Sequence, residues 1–391
     1  MTTVLLTAME ASGDALGAGL MAELRRRLGP DVRFIGVGGP AMSEQGLTSA
    51  FDITELSVVG LLDGLLAYRR ADRRARELAE LARLQKPDIA VLIDSWGFSY
   101  LLARRLRAVA PGLELVKYVA PQAWASRPGR AKALAAAFDQ LLSIVAFEAP
   151  LFEAAGVRTT FVGHPALADD VPSGDGAAFR ARIGAEAADP VLLVLPGSRA
   201  SEIRRLLPPF EQAIGILKAT HPSLQVVLAP APTVAELVSA RTSGWPFRVH
   251  LAVDAGERLD AMAAADAALA CSGTITTELA VAGCPMVVAY RLDPLSYQIA
   301  RRIVLTRYIT LINIAADEAI APELIQDACN GPRLAEEIGK RLDDPDLRAR
   351  QVAAQARALQ ALGGRGPSPS IRAADAILSI VREGRLNRRS A

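Results

Sequence analysis

The chain has 391 residues, 51% of them hydrophobic and 22% charged, which is too long for one small stapled domain and too apolar for a disordered chain. Lys plus Arg (44) against Asp plus Glu (42) leaves a formal charge of +2, without the strong positive field of a dedicated nucleic-acid binder, so no nucleic-acid partner is expected. Cys271, Cys284 and Cys329 are an odd number without CxxC spacing, which argues against a disulfide framework or a zinc knuckle and fits a reducing, cytoplasmic setting.

The first residues, MTTVLLTAMEASGD, carry no basic n-region and reach Glu10 before a signal-length apolar segment forms, so no export signal is expected. TVLLTA, VRFIGVGG and IAVLID read as buried strands, with helical stretches at residues 17–27 and 71–84 between them. Further strands are predicted at LELVKYVA, QLLSIVAF and TTFVGH, completing a first doubly wound layer near His164. The apolar run at residues 131–147 is broken by Lys132 and Asp139 and is shorter than the ~20 residues a spanning helix needs, so no transmembrane helix is predicted.

Residues 165–190 are rich in Ala, Asp, Gly and Pro and mark a boundary near Ala168. The strand pattern then restarts with PVLLVLPGSR, LQVVLAP, FRVHLAV, AALACSGT and PMVVAYR. A long helix at residues 345–362, a GGRGPSPS break and a last helix at residues 371–382 close the chain. The expected organisation is α/β: two Rossmann-like doubly wound domains facing across a cleft, residues 1–168 and 169–365, with residues 366–391 forming a helix that crosses back to the first.

In open α/β sheets ligands bind beyond the carboxyl ends of the strands, where tight turns hand the chain to helix N-termini. Four such turns stand out. In MEASGDALGAG the first strand is expected to end at Glu10 and the chain to turn through Ser12, Gly13 and Asp14 into a helix; GVGGP at residues 36–40 offers close backbone approach, or glycines that serve only packing. Neither contains a full GxGxxG or a Walker lysine. In LPGSRASEI, Gly197 and Ser198 present backbone N–H groups and Arg199 a forked cation, which suits a diphosphate, with a simple Arg199–Glu202 surface pair as the plainer account. In CSGTITTE, Ser272, Gly273 and Thr274 precede Glu278, whose carboxylate suits ribose hydroxyls or complements the helix dipole.

Asp94 ends the strand IAVLID beside Trp96 and Phe98, as a proton acceptor for a hydroxyl nucleophile or as a cap for the next helix; spacing does not separate the two. His164, His221 and His250 are isolated, so neither a zinc site nor a His-based triad is expected, and no metal or cofactor is assigned. Val58, Val59, Leu61, Leu62, Leu65 and Leu66, followed by Arg69, Arg70, Arg73, Arg74 and Arg76, have the composition of a peripheral membrane wedge or of a core-facing helix.

Together EASGDALGAGL, GVGGPAM, VVGLLDGL, KPDIAVLIDSWGF, YVAPQAWASRPGRAK, FVGHP, LPGSRASEI, SGTITTELAVAGCPMVVAYR, TLIN and PELIQ resemble the lipid-A-disaccharide synthases, inverting glycosyltransferases of the GT-B architecture, over nearly the whole chain. The resemblance implies metal-free transfer of diacylglucosamine from UDP-2,3-diacylglucosamine to 2,3-diacylglucosamine 1-phosphate (lipid X), giving a β-1,6-linked disaccharide phosphate and UDP. It also implies attachment to the inner face of the cytoplasmic membrane and, in some members, a homodimer. It makes Asp94 the base, Arg199 the counter-charge of the leaving diphosphate, and Ser272, Gly273, Thr274, Glu278 and Asn313 part of the nucleotide site. Glu10, Ser12, Gly13 and Asp14 would line the cleft from the other half, and residues 58–66 would dip into the bilayer. Met9, Ser95 to Gly97 and Ala125-Ser126 depart from the family pattern. A UDP-sugar 2-epimerase and a non-catalytic nucleotide-sugar module are the competing functions.

Overall fold

Parallel strands covered by helices on both faces carry unbroken apolar runs in place of alternation, and Ile89–Ile93 and Val191–Leu195, each buried at all five positions, are the central examples. The computed structural model describes residues 2–53, 55 and 64–390. The chain divides into two compact units, Met1–Asp169 with Gly366–Ala391, and Asp170–Arg365.

The first unit holds β1 (Thr2–Thr7), β2 (Val32–Val37), β3 (Ile89–Ile93), β4 (Glu114–Tyr118), β5 (Gln140–Ser143) and β6 (Arg158–Phe161) in one parallel sheet of order β2-β1-β3-β4-β5-β6. One face packs against Leu20, Met21 and Leu24 of the helix Ala11–Leu28 and against Ala373, Ile377 and Val381 of the helix Pro369–Ser390. The opposite face packs against Leu78 and Ala82 of Gly64–Gln85, Leu102 and Leu106 of Trp96–Val109, and Leu134 of Gly129–Ala137. The terminal helix is thus part of the first unit's core, and Arg27 ties it down by pairing with Asp375 and donating to the Ile371 carbonyl at 3.1 Å.

The second unit holds β7 (Val191–Leu195), β8 (Gln225–Leu228), β9 (His250–Leu251), β10 (Ala267–Cys271), β11 (Met286–Tyr290) and β12 (Glu323–Ile325), also parallel, in the order β12-β11-β10-β7-β8-β9. Two Rossmann-like domains result. In each sheet the strand order reverses once, between β1 and β3 in the first and between β7 and β10 in the second. Such reversals open a crevice at the carboxyl edge of the sheet.

Several elements differ from expectation. FRVHLAV contributes only the two-residue β9, and β12 is three residues long, too short to announce itself by periodicity. The first strand ends at Thr7, and Glu10 is already the cap position of the helix that follows. Of the expected membrane wedge, Val58, Val59, Leu61 and Leu62 lie outside the described residues, whereas Leu65 and Leu66 fall in the first turn of Gly64–Gln85.

Candidate active site

At the reversal of the first sheet, β1 hands the chain to Ala11–Leu28 and β3 hands it to Trp96–Val109. Asp94 lies between β3 and that second helix, half-buried, with φ 47°, and Ser95 follows with φ 39°. Two consecutive non-glycine residues in the left-handed region store strain that the surroundings must overcome. The Asp94 N–H donates to the Tyr118 carbonyl at 2.9 Å, and its own carbonyl accepts from the Ser99 hydroxyl at 2.7 Å. Ser95, the cap position of the following helix, makes no side-chain cap hydrogen bond. A Cβ built on Gly13 would lie 3.5 Å from the Asp94 Cβ, so the first turn of Ala11–Leu28 rests directly on Asp94. Glu10 and Ser12 are exposed in that turn.

Asp14 does not line a solvent-facing crevice. It is buried, and its carboxylate accepts from the backbone N–H groups of Gly39 (2.7 Å), Ala41 (2.9 Å) and Met42 (3.1 Å). The glycines of GVGGP admit this internal carboxylate: a Cβ at Gly39 would sit 2.6 Å from Asp14 Oδ2. The loop is therefore built around a side chain of the same chain.

Two buried groups at this edge escaped the sequence patterns. Lys117 of β4 is fully buried and donates to the carbonyl oxygens of Leu92 (3.2 Å) and Asp94 and to the Ser99 hydroxyl (3.1 Å). Burial pushes its ammonium down to about 7, and the neighbouring Asp94 carboxylate opposes that fall. Glu148 is also buried and accepts from Trp124 Nε1 (3.0 Å) and the Ser143 hydroxyl (2.7 Å), anchoring the loop after β4; burial pushes its carboxyl up. No periodicity marks either position.

In the second unit the LPGSR and SGT loops leave the carboxyl ends of the adjacent strands β7 and β10, at that sheet's reversal. Gly197 has φ 109°, and a Cβ there would meet Glu202 Oε2 at 2.4 Å and Cys271 Sγ at 3.3 Å, so only glycine fits. Glu202 is nearly buried and caps the start of the helix that follows: Oε2 accepts from the N–H groups of Ser198 (3.0 Å) and Arg199 (3.2 Å), and Oε1 from Arg199 Nη1 (3.0 Å). The Ser198 N–H, expected to be open to phosphate, is thus already bonded to a carboxylate of the same chain. Arg199, by contrast, keeps 68% of its side chain exposed while it pairs with Glu202.

Gly273 and Thr274 are exposed, and Ser272 is half-buried with its hydroxyl 3.4 Å from the Ile309 carbonyl. Glu278 has its carboxyl pushed up by burial, and its Oε2 lies 3.9 Å from Arg258 Nε. Asn313 is enclosed: it donates to Ala321 O (2.8 Å) and Glu323 Oε1 (2.9 Å) and accepts from Ala321 N–H (2.9 Å). Its side chain organises the loop beside the SGT turn. His164 accepts from the Ala166 N–H at 3.2 Å and is pushed down to about 4 by burial, a neutral structural imidazole. The three cysteines are buried and free.

Comparison with known proteins fits this arrangement. A family model described as Lipid-A-disaccharide synthetase matches residues 4–369. Lipid-A-disaccharide synthase of Paramagnetospirillum magneticum is 43% identical over 98% of this chain and 99% of its own length, and that of Rhodospirillum centenum 41% identical over 97% and 94%. Among solved structures, the glycosyltransferase of kitacinnamycin superposes with a TM-score of 0.63 at 19% identity, covering 97% of this chain and 98% of that one. The UDP-GlcNAc 2-epimerase of Neisseria meningitidis bound to UDP-GlcNAc superposes at 0.56 and 11%, covering 97% and 98%. At those identities the likeness establishes the fold and does not choose between transferase and epimerase. The sequence match does choose: the chain belongs to the lipid-A-disaccharide synthases, glycosyltransferases of lipid A biosynthesis with the GT-B fold.

Proposed function

We propose that this chain transfers 2,3-diacylglucosamine from UDP-2,3-diacylglucosamine to 2,3-diacylglucosamine 1-phosphate. The acceptor 6-hydroxyl gives its proton to Asp94 as its oxygen bonds to the donor's anomeric carbon. The bond from that carbon to the diphosphate breaks, and UDP leaves with the electron pair. A single displacement of this kind inverts the anomeric centre and yields a β-1,6 linkage. Arg199 offsets the charge that grows on the leaving diphosphate, and Ser272, Gly273, Thr274 and Glu278 hold the nucleotide. Glu10 and Ser12 present polar groups to the acceptor beside Asp94.

One observation carries this reading. A half-buried carboxylate stands at the strand reversal of the first sheet, and an exposed guanidinium beside a hydroxyl-rich turn stands at that of the second. The decisive experiment incubates the purified protein with UDP-diacylglucosamine and lipid X and determines the product linkage by NMR. A β-1,6 disaccharide with UDP released only when acceptor is present supports the reading. An α-linked product, UDP release without acceptor, or formation of a C2 epimer overturns it.

Acylated substrates reside in lipid, so a transferase that uses them works at a bilayer surface, and we place this chain peripherally on the inner face of the cytoplasmic membrane. No helix among the described residues is long and apolar enough to cross a membrane. Support for surface contact comes from the second unit. In the helix Pro294–Ile303 no residue is buried; Leu295 (64% exposed), Ile299 and Ile303 repeat at four-residue spacing along one face, and Val304 and Leu305 (63%) continue the exposed apolar run. Residues 294–316 contain Arg301, Arg302 and Arg307 and no acidic residue. Apolar side chains flanked by cations suit an anionic lipid surface, where each Arg contributes about 1 kcal/mol. Replacing Leu295, Ile299 and Leu305 together with serine is expected to weaken sedimentation with phosphatidylglycerol vesicles by roughly tenfold or more. Unchanged sedimentation removes this face from the membrane contact.

A further inference from the structure

A lysine in the middle of a parallel strand is costly to enclose, because an ammonium taken out of water must have its donors satisfied. Lys117 is 0% exposed, and the partners it has found gather at one place. Its Nζ reaches the carbonyl oxygens of Leu92 and Asp94 and the Ser99 hydroxyl, and the Tyr118 carbonyl stands at 3.5 Å. Ser99 in turn donates to the Asp94 carbonyl, so that one oxygen receives two side-chain donors from two different elements. Lys117 is paired with Leu92 in the β3–β4 ladder, which delivers its stem beneath the end of β3. Above this anchor stand the two left-handed residues, Asp94 and Ser95, neither of them glycine. A strained turn of this kind persists only where neighbouring groups over-determine it.

We propose that Lys117 is the positioning residue for Asp94: by holding the Asp94 carbonyl it keeps the left-handed turn in place and with it the direction in which the carboxylate leaves the sheet. An apolar side chain of similar length would fill the same space without the cost of an enclosed charge, so packing does not account for an ammonium here. Lys117 does not touch substrate in this scheme. It acts through Asp94, so the inference rests on the proton-acceptor role given to Asp94 above.

The test is a double-mutant cycle on the full chain, with kcat, the KM of both substrates, UDP affinity and thermal midpoint measured for Lys117→Met, Lys117→Arg, Asp94→Asn and the Lys117→Met/Asp94→Asn pair. Lys117→Met is expected to lower kcat on the order of 10- to 100-fold, the penalty for a misplaced catalytic group, while KM and UDP affinity stay within about twofold. Lys117→Arg, which keeps a buried cation, is expected to recover part of the loss. In the Asp94→Asn background the methionine substitution should change the residual kcat by less than about twofold, because the group it positions is already gone. A full additional loss in that background assigns Lys117 to general folding and overturns the proposal, as does wild-type kcat in Lys117→Met when Asp94→Asn is inactive. Wild-type kcat in Asp94→Asn overturns the proton-acceptor role itself, and the positioning role with it. If Lys117→Met melts below the assay temperature, Lys117→Gln, which retains an N–H donor, carries the same comparison.

Discussion

Asp94→Asn is expected to lower transfer by about 10²- to 10⁴-fold, the range attached to a positioned general base, with little change in UDP binding. The substitution keeps size and removes the charge. The backbone N–H and carbonyl of Asp94, which hold the turn to Tyr118 and Ser99, are untouched by it. The loss should therefore appear in kcat and in kcat/KM alike, with a thermal midpoint close to that of the unaltered chain. Steady-state kinetics with both substrates and calorimetric UDP titration decide the matter. Turnover at the original rate would remove Asp94 from the chemistry, and a collapse of UDP affinity would show that the variant disturbs more than proton transfer.

Arg199→Ala is expected to cost about 10²- to 10³-fold in kcat, the effect of deleting one donor to a developing oxyanion. Folding is little involved: the Arg199 side chain is 68% exposed, and the enclosed Glu202 carboxylate keeps the Ser198 and Arg199 backbone N–H donors when the guanidinium is removed. Arg199→Lys separates charge from geometry. Lysine keeps the cation but not the planar fork that meets two phosphate oxygens, so recovery should be partial. Because Glu202 already accepts from the Ser198 and Arg199 N–H groups, the exposed guanidinium is the cationic donor this loop presents at the surface. Unchanged kcat in Arg199→Ala would place the diphosphate elsewhere.

Much of this molecule is written locally. Runs such as IAVLI and VLLVL are apolar at every position because both faces of a parallel sheet are covered, and that alone announces two doubly wound layers. Asp94 and Arg199 stand out for a related reason: Asp94 follows directly on such a run and Arg199 stands in the short turn after one, where the chain must leave the sheet. The Glu202 carboxylate that takes the Ser198 and Arg199 N–H groups is equally local, a matter of four residues.

What stayed hidden depends on partners distant in the chain. Asp14 looks like a site residue until Gly39, Ala41 and Met42, more than twenty positions away, take its carboxylate. Asn313, in a motif associated with the nucleotide site, turns inward to Ala321 and Glu323. Lys117, in LELVKYVA, has the look of an ordinary solvated strand lysine, and only the pairing of β4 with β3 encloses it under Asp94. The sequence by itself determined the central strands, the two doubly wound layers with their loop-bearing edges, and the family. The tertiary structure decided which polar groups remain open to a ligand and which are used up inside, because hydrogen-bond partners and burial are set by strands that become neighbours in space, not by periodicity along the chain.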